Sequence, residues 1–309
     1  MQGYLPPRGL IAELITPLNR DLTLDHQVLI NHLSNLKPFV NAVMILSPEA
    51  GEGFAIPIEA KKELIGTCAE VIKGELPLFV FVTSDTKEET IKNISTFDEL
   101  LNGLSYKGDI FWVDAPLYYH SNRGLPDFYK KITNSISYPL IIYNNPKIVE
   151  KVKGPFNRRN MRTSILKELS LIEGIKGLIF IGDLKRALNY QKAVEERLYF
   201  RIYDGDEELF INFPNKNGLL SISANLIPHI WKRILDMDSQ RDIKNIWHTL
   251  KEFLTLTKKG GPVLVKKILY RKGVLDSYFC STNQSIDETL LEEAYNLLCE
   301  LRDFYEKYM

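Results

Sequence analysis

The chain has 309 residues, 45% of them hydrophobic and 25% charged, with 39 Lys and Arg balanced by 39 Asp and Glu. That balance removes the case for a protein held to nucleic acid or an anionic membrane by a global field, and the apolar content rules out a disordered chain. Three cysteines, Cys68, Cys280 and Cys299, are far apart and form no C-x-x-C pair, which argues against a disulfide framework or a thiolate zinc site.

Short β-rich runs recur mostly every 20 to 35 residues or so, the spacing of strand–helix units. The first strand reads GLIAELI from Gly9 and leads to a helix over Thr23 to Leu36. AVMILS from Ala42 precedes a helix over Pro57 to Ile72, with the proline suited to its first turn. LPLFVFV from Leu76 is followed by a helix over Thr86 to Leu101, and DIFWVDA from Asp109 by one over Leu125 to Ile136. PLIIYN from Pro139 and IKGLIFI from Ile175 come next, then a helix over Asp183 to Val194 that Asp183 suits as N-cap. LYFRIYD from Leu198 and GLLSISA from Gly218 complete eight strands, nearly continuous in apolar character as buried parallel strands are. Beyond Asn225 the chain reads as helices alone: Pro228 to Asp236, Asp242 to Leu256, Pro262 to Lys272 and Ser285 to Tyr308. The Lys258-Lys259-Gly260-Gly261 stretch is a helix stop with Pro262 restarting the next helix, since it has no Walker pattern and follows no strand.

Eight such units predict an α/β fold, a (β/α)8 TIM barrel over residues 1–230 with a C-terminal helical extension over 231–309. A doubly wound open sheet is the alternative, but no G-x-G-x-x-G follows the first strand. The opening MQGYLPPRGL has no basic region followed by an apolar one, and no apolar run nears membrane-spanning length, so a cytoplasmic protein is expected. The five histidines show no metal spacing, so no histidine metal site is expected.

Lys176 lies in the apolar run IEGIKGLIF. A lysine amine kept neutral by desolvation is a nucleophile that attacks carbonyls and forms Schiff bases, whereas a lysine at a strand edge extends its stem to water. Barrel active sites lie at the C-terminal ends of strands. Those ends offer Ser47 to Glu52, Thr83-Ser84, Pro116 to Tyr119, Tyr143-Asn144, Asp204 to Asp206 and Ser221. An imine-forming lysine needs a phenol or hydroxyl to shuttle protons, and Tyr143 and Tyr118 are candidates.

Seven short motifs occur in order at these strand ends: Thr16-Pro17-Leu18, AGEGFAIPIEAKKEL (Ala50 to Leu64), APLYY (Ala115 to Tyr119), YNNP (Tyr143 to Pro146), GIKG (Gly174 to Gly177), DGDEEL (Asp204 to Leu209) and GLLSISANLIP (Gly218 to Pro228). Together they resemble the dihydrodipicolinate synthase / N-acetylneuraminate lyase superfamily of class I aldolases, which are (β/α)8 barrels. The resemblance covers most of the chain. It implies Lys176 as the Schiff-base residue and Tyr143 as the phenol beside the imine. It also implies Tyr118, with Tyr119 as a near alternative, as the tyrosine that completes a relay across a dimer interface, so a homodimer or homotetramer is expected. Glu49, Ala50, Gly205 and Leu220 fall at its substrate-binding positions. A small keto acid and an aldehyde are then the expected partners, and the imine chemistry the resemblance implies needs no metal or organic cofactor.

Two departures bear on substrate. Where the family has G-T-T-G-E or G-S-T-G-E, this chain has Pro48-Glu49-Ala50-Gly51-Glu52, which lacks both hydroxyls and adds a carboxylate opposed to a bound acid. Where dihydrodipicolinate synthases carry an arginine two residues after Y-N-x-P, this chain has Ile148, and a bidentate guanidinium grip is lost. The expected function is a Schiff-base carbon–carbon lyase closer to a sugar-acid (2-keto-3-deoxy) aldolase than to a true dihydrodipicolinate synthase. Dihydrodipicolinate synthesis, a keto-acid dehydratase, and an altered barrel that only binds a ligand are its rivals.

Overall fold

A computed structural model describes residues 5–152, 158–236, 246–281 and 285–308. Eight parallel strands close into a barrel in chain order, β1 to β8. They are β1 Gly9–Glu13, β2 Ala42–Ile45, β3 Leu78–Phe81, β4 Ile110–Asp114, β5 Leu140–Asn144, β6 Ile175–Phe180, β7 Arg201–Asp204 and β8 Gly218–Ser221. The alternating helices are α1 His26–Leu36, α2 Ile58–Ile72, α3 Lys87–Gly103, α4 Leu125–Ile132, α5 Pro146–Val152, α6 Thr163–Leu169, α7 Leu184–Ala193, α8 Glu207–Asn212 and α9 Pro228–Leu235. Two longer helices follow, α10 Trp247–Arg271 and α11 Glu288–Tyr308. The (β/α)8 barrel with a C-terminal helical extension read from the sequence is the fold observed. The helix expected from Asp242 begins outside the described residues.

Helix starts follow local chemistry. The side chains of Asp25, Thr86, Asp183 and Asp206 accept hydrogen bonds from backbone N–H groups three residues on, opening α1, α3, α7 and α8. Helices α5, α6 and α8 are six or seven residues long, too short to leave a readable period. Helix α10 breaks at Gly261, whose φ of 55° and ψ of −149° are non-helical, and Pro262 restarts it. The stop and restart read from that stretch are present.

The chain clusters into two compact units, Met1–Arg8 with Lys73–Leu220 and Gly9–Ile72 with Ser221–Met309. In the first, Phe79 packs against Phe111 at 5.0 Å and Tyr203 at 6.1 Å, while Trp112 packs with Phe97 of α3 on the other face of the sheet. This alternation is the two-residue period of strands buried on both sides. In the second, the amide of Asn225 knits β1 to the turn before α9: its Oδ1 accepts from Ile15 N and its Nδ2 donates to Glu13 O and Ile222 O. Buried His32 also bonds to Asn225 Oδ1, at 3.0 Å, and burial lowers its pKa, which favours the neutral ring. Among the described residues, no helix is long and apolar enough to cross a membrane.

Candidate functional site

Unit by unit, the strand ends carry distinct chemistry. In the first unit, Tyr143 is the fourth residue of β5, 2% exposed, with its ring edge-on to Phe81 at 5.7 Å. The next residues fix the following loop. Asn144 Nδ2 donates to Asn160 Oδ1 at 2.8 Å, Asn144 Oδ1 accepts from Met161 N, and Asn145 Oδ1 accepts from Lys147 N to start α5. Ile148, in the position of the family arginine, is 2% exposed.

The two tyrosines after β4 have different surroundings. Asp114, at the end of the strand, accepts hydrogen bonds from Thr83 Oγ1 at 2.6 Å, Tyr129 OH at 2.6 Å and Tyr119 OH at 2.7 Å. Burial raises the Asp114 pKa, and those donors pull it back. Burial and then the Asp114 charge push the phenols of Tyr119 and Tyr129 well above their ordinary value. Tyr119 is therefore a structural clamp on its loop. Tyr118, half-buried, donates to Asp85 Oδ1 at 3.2 Å, and burial first and Asp85 second raise its pKa. Of the two, Tyr118 keeps its hydroxyl off the clamp. The Asp114 cluster was not legible in the sequence, because its partners come from the loops after β3 and β4 and from α4.

Lys176 lies in β6, the strand its motif pointed to, but low in it. It is the second of six residues of β6, half-buried, at the strand's N-terminal end. The β5–β6 register runs Leu140↔Ile175, then Ile141↔Gly177 and Tyr143↔Ile179, so Lys176 is the extra residue of an irregularity in the ladder. Three residues of strand, about 10 Å, separate it from the level of Tyr143. The structure thus brings Tyr143 beside Ile179 and leaves Lys176 apart. The reason is register, which a string match cannot supply.

Gly205 follows β7, and a Cβ there would lie 2.4 Å from Ile181 Cγ1 and 3.5 Å from Ile179 Cγ2. Leu220 of β8 is 2% exposed. Beside Gly205, buried Asp204 accepts from Asn215 Nδ2 at 2.5 Å, and burial raises its pKa to about 7.

In the second unit, the loop after β2 is a compact hydrogen-bonded turn. Ser47 Oγ accepts from Gly51 N at 2.8 Å, Gly53 N donates to Ser47 O, and Thr16 Oγ1 donates to Gly51 O. Ala50 is fully buried, whereas Glu49 is exposed, so water screens the opposing charge expected of it. Glu52, at a φ of 52°, is 3% exposed and forms a buried ion pair with Lys266 of α10. Lys266 Nζ also donates to Phe279 O at 2.8 Å, and Ser281 N donates to Glu52 Oε2 at 2.5 Å. Glu52 thus ties the loop after β2 to α10 and to the segment around Ser281. Its partner Lys266 went unnoticed in the sequence, which gives no sign of a contact more than two hundred residues away.

The sequence profile of the dihydrodipicolinate synthetase family matches residues 6–293. A 4-hydroxy-tetrahydrodipicolinate synthase of Shewanella frigidimarina is 24% identical over 278 residues, 86% of this chain and 88% of the relative. The structure of a 4-hydroxy-tetrahydrodipicolinate synthase from Methylacidiphilum fumariolicum SolV superposes with a TM-score of 0.80 at 19% identity, covering 97% of both chains. A chloride-inhibited dihydrodipicolinate synthase from Acinetobacter baumannii, complexed with pyruvate, superposes with a TM-score of 0.79 at 20% identity, covering 95% of this chain and 98% of the other. The chain belongs to the dihydrodipicolinate synthetase family, whose members are Schiff-base aldolases and lyases working on carbon–carbon bonds.

Proposed function

We propose that this carbon–carbon lyase acts on a small keto acid of the sugar-acid type and not on the substrate pair of dihydrodipicolinate synthesis. The observation that carries this reading is Ile148, an apolar side chain 2% exposed where the synthases of the family place a guanidinium. Without that fork, a second, acid-bearing aldehyde loses its bidentate partner. The pyruvate bound by the Acinetobacter neighbour supports a keto-acid ligand of that size. In this reading Tyr143 and Tyr118 are the proton carriers, and Gly205 and Leu220 line the ligand. Ala50, with Glu49 beside it, replaces the family hydroxyls that hold the ligand carboxylate. The active form is a homodimer or homotetramer in which Tyr118 serves the neighbouring site.

Two assays on the same preparation test this. One follows condensation of pyruvate with aspartate semialdehyde. The other follows pyruvate release from a 2-keto-3-deoxy sugar acid. Release without condensation is expected, and efficient condensation refutes the reading.

A further inference from the structure

Asn145 follows β5 directly, and its neighbours fix its height and its face. Tyr143 pairs with Ile179 and Asn144 with Phe180, and Ile181 N continues that ladder by donating to Asn144 O at 3.1 Å. Asn145 is therefore level with Ile181, one side-chain layer beyond Tyr143, or about 7 Å along the strand. Asn144 turns towards Asn160 and Met161, and Phe180 turns towards Tyr190 of α7, so the two-residue period puts Asn145 and Ile181 on the face of Tyr143 and Ile179. Ile181 is half-buried, and a Cβ on Gly205 would lie 2.4 Å from its Cγ1. Asn145, Ile181 and Gly205 thus form the layer next to that of Tyr143 at the C-terminal ends of their strands. The Asn145 amide is only half used. Its Oδ1 accepts from Lys147 N at 2.9 Å, which fixes which end of the amide is oxygen. Its Nδ2 has no hydrogen-bond partner among the described residues, although the residue is 1% exposed. A buried donor of this kind is costly unless an acceptor meets it.

We propose that Asn145 is a specificity-determining residue of this lyase, its Nδ2 donating to a hydroxyl oxygen in the part of the substrate that leaves as aldehyde. The inference rests on the sugar-acid reading above and adds to it that the aldehyde portion is hydroxylated and uncharged. With the keto group in the layer of Tyr143, an acceptor in the layer of Asn145 belongs to a carbon further along the chain. Pyruvate ends before that layer, whereas a longer polyhydroxylated keto acid carries oxygens into it. A neutral amide suits a hydroxyl oxygen. A carboxylate on the aldehyde portion would call instead for a cation, and Ile148, three residues on, is apolar.

The test uses the full-length protein with two probes of equal carbon number, 2-keto-3-deoxygluconate and 2-oxohexanoate, which lacks the hydroxyls. Asn145→Ser keeps an oxygen to accept from Lys147 N but is too short to place a donor where Nδ2 lies. It should raise KM for pyruvate release from 2-keto-3-deoxygluconate about fivefold, the worth of one hydrogen bond, with kcat little changed. Calorimetry with 2-oxohexanoate should show a smaller loss, so the preference for the hydroxylated probe falls. Asn145→Asp keeps the shape and the cap but presents an acceptor in place of the donor, and should weaken the sugar acid at least as much. A role in starting α5 alone would change both probes equally, and equal losses overturn the proposal. An unchanged KM in both variants overturns it as well. Failure of the sugar-acid reading looks different and needs no variant: wild type condenses pyruvate with aspartate semialdehyde and releases none from the sugar acid, and the proposal falls with it.

Discussion

Replacing Lys266 by methionine isolates the buried pair that anchors the loop after β2. Lys266 is fully buried and Glu52 is 3% exposed, so the substitution leaves a carboxylate in a dry site with its main counter-charge gone. Breaking a buried pair on one side costs about 3–5 kcal/mol. Here the N–H of Ser281 still donates to the Glu52 carboxylate, and methionine refills most of the lysine stem's volume, so the lower end of that range is expected. Adding Glu52→Gln removes the stranded charge. The double variant should recover about 1–2 kcal/mol relative to the sum of the single ones. Urea unfolding at constant m reads these differences as shifts in midpoint. Hydrogen exchange then localises them to peptides covering Ser47–Ile56 and Leu275–Ser281. A single-variant cost under about 1 kcal/mol, or strict additivity in the double variant, would refute the reasoning.

Burial lifts the carboxyl of Asp204 from 3.8 to about 7, so the native state binds its proton more tightly than the unfolded state does. Stability from this group is then fully present below pH 4 and declines as pH rises towards 7, by at most about 4 kcal/mol. Asp204→Asn should flatten that slope in pH-dependent urea unfolding, and an unchanged slope would mean the carboxyl ionises freely. Tyr129→Phe removes one of three hydroxyls from buried Asp114 and should cost about 1–3 kcal/mol in the same assay. A neutral result would show that water replaces the lost donor. Glu49→Thr with Ala50→Thr restores the family hydroxyls and should tighten pyruvate binding by calorimetry about tenfold, equivalent to about 1.4 kcal/mol. Unchanged affinity would separate this loop from the carboxylate.

The barrel was legible because each strand is an apolar run of the right length and most intervening helices announce themselves by a cap or a proline. Asp183 is a cap as expected, and the helix break before Pro262 is where the two glycines put it. The height of Lys176 in the barrel, below Tyr143, could not be read for a physical reason. A short motif reports which residues are adjacent, whereas height in a barrel depends on pairing between strands, and one extra residue in the ladder shifts everything above it. A clue was present, since the run IKGLIFI puts Lys176 second, near the entrance of the strand and far from the end where barrels react. The Asp114 cluster and the Glu52–Lys266 pair had no comparable clue, because each is assembled from distant segments whose polar residues are unremarkable one by one.

The break in α10 also acts as an aiming device. Gly261 occupies a torsional region almost closed to residues with a side chain, yet a Cβ there would meet no atom within 4 Å. Only the backbone angle enforces glycine at this point. Lys266 projects from the second half of the helix, about one turn past Pro262. An alanine at position 261 would therefore do its damage at a distance. By drawing the helix towards a continuous course it would turn the ammonium away from the Glu52 carboxylate, so a single torsion decides whether the loop bearing Glu49 and Ala50 keeps its counter-ion.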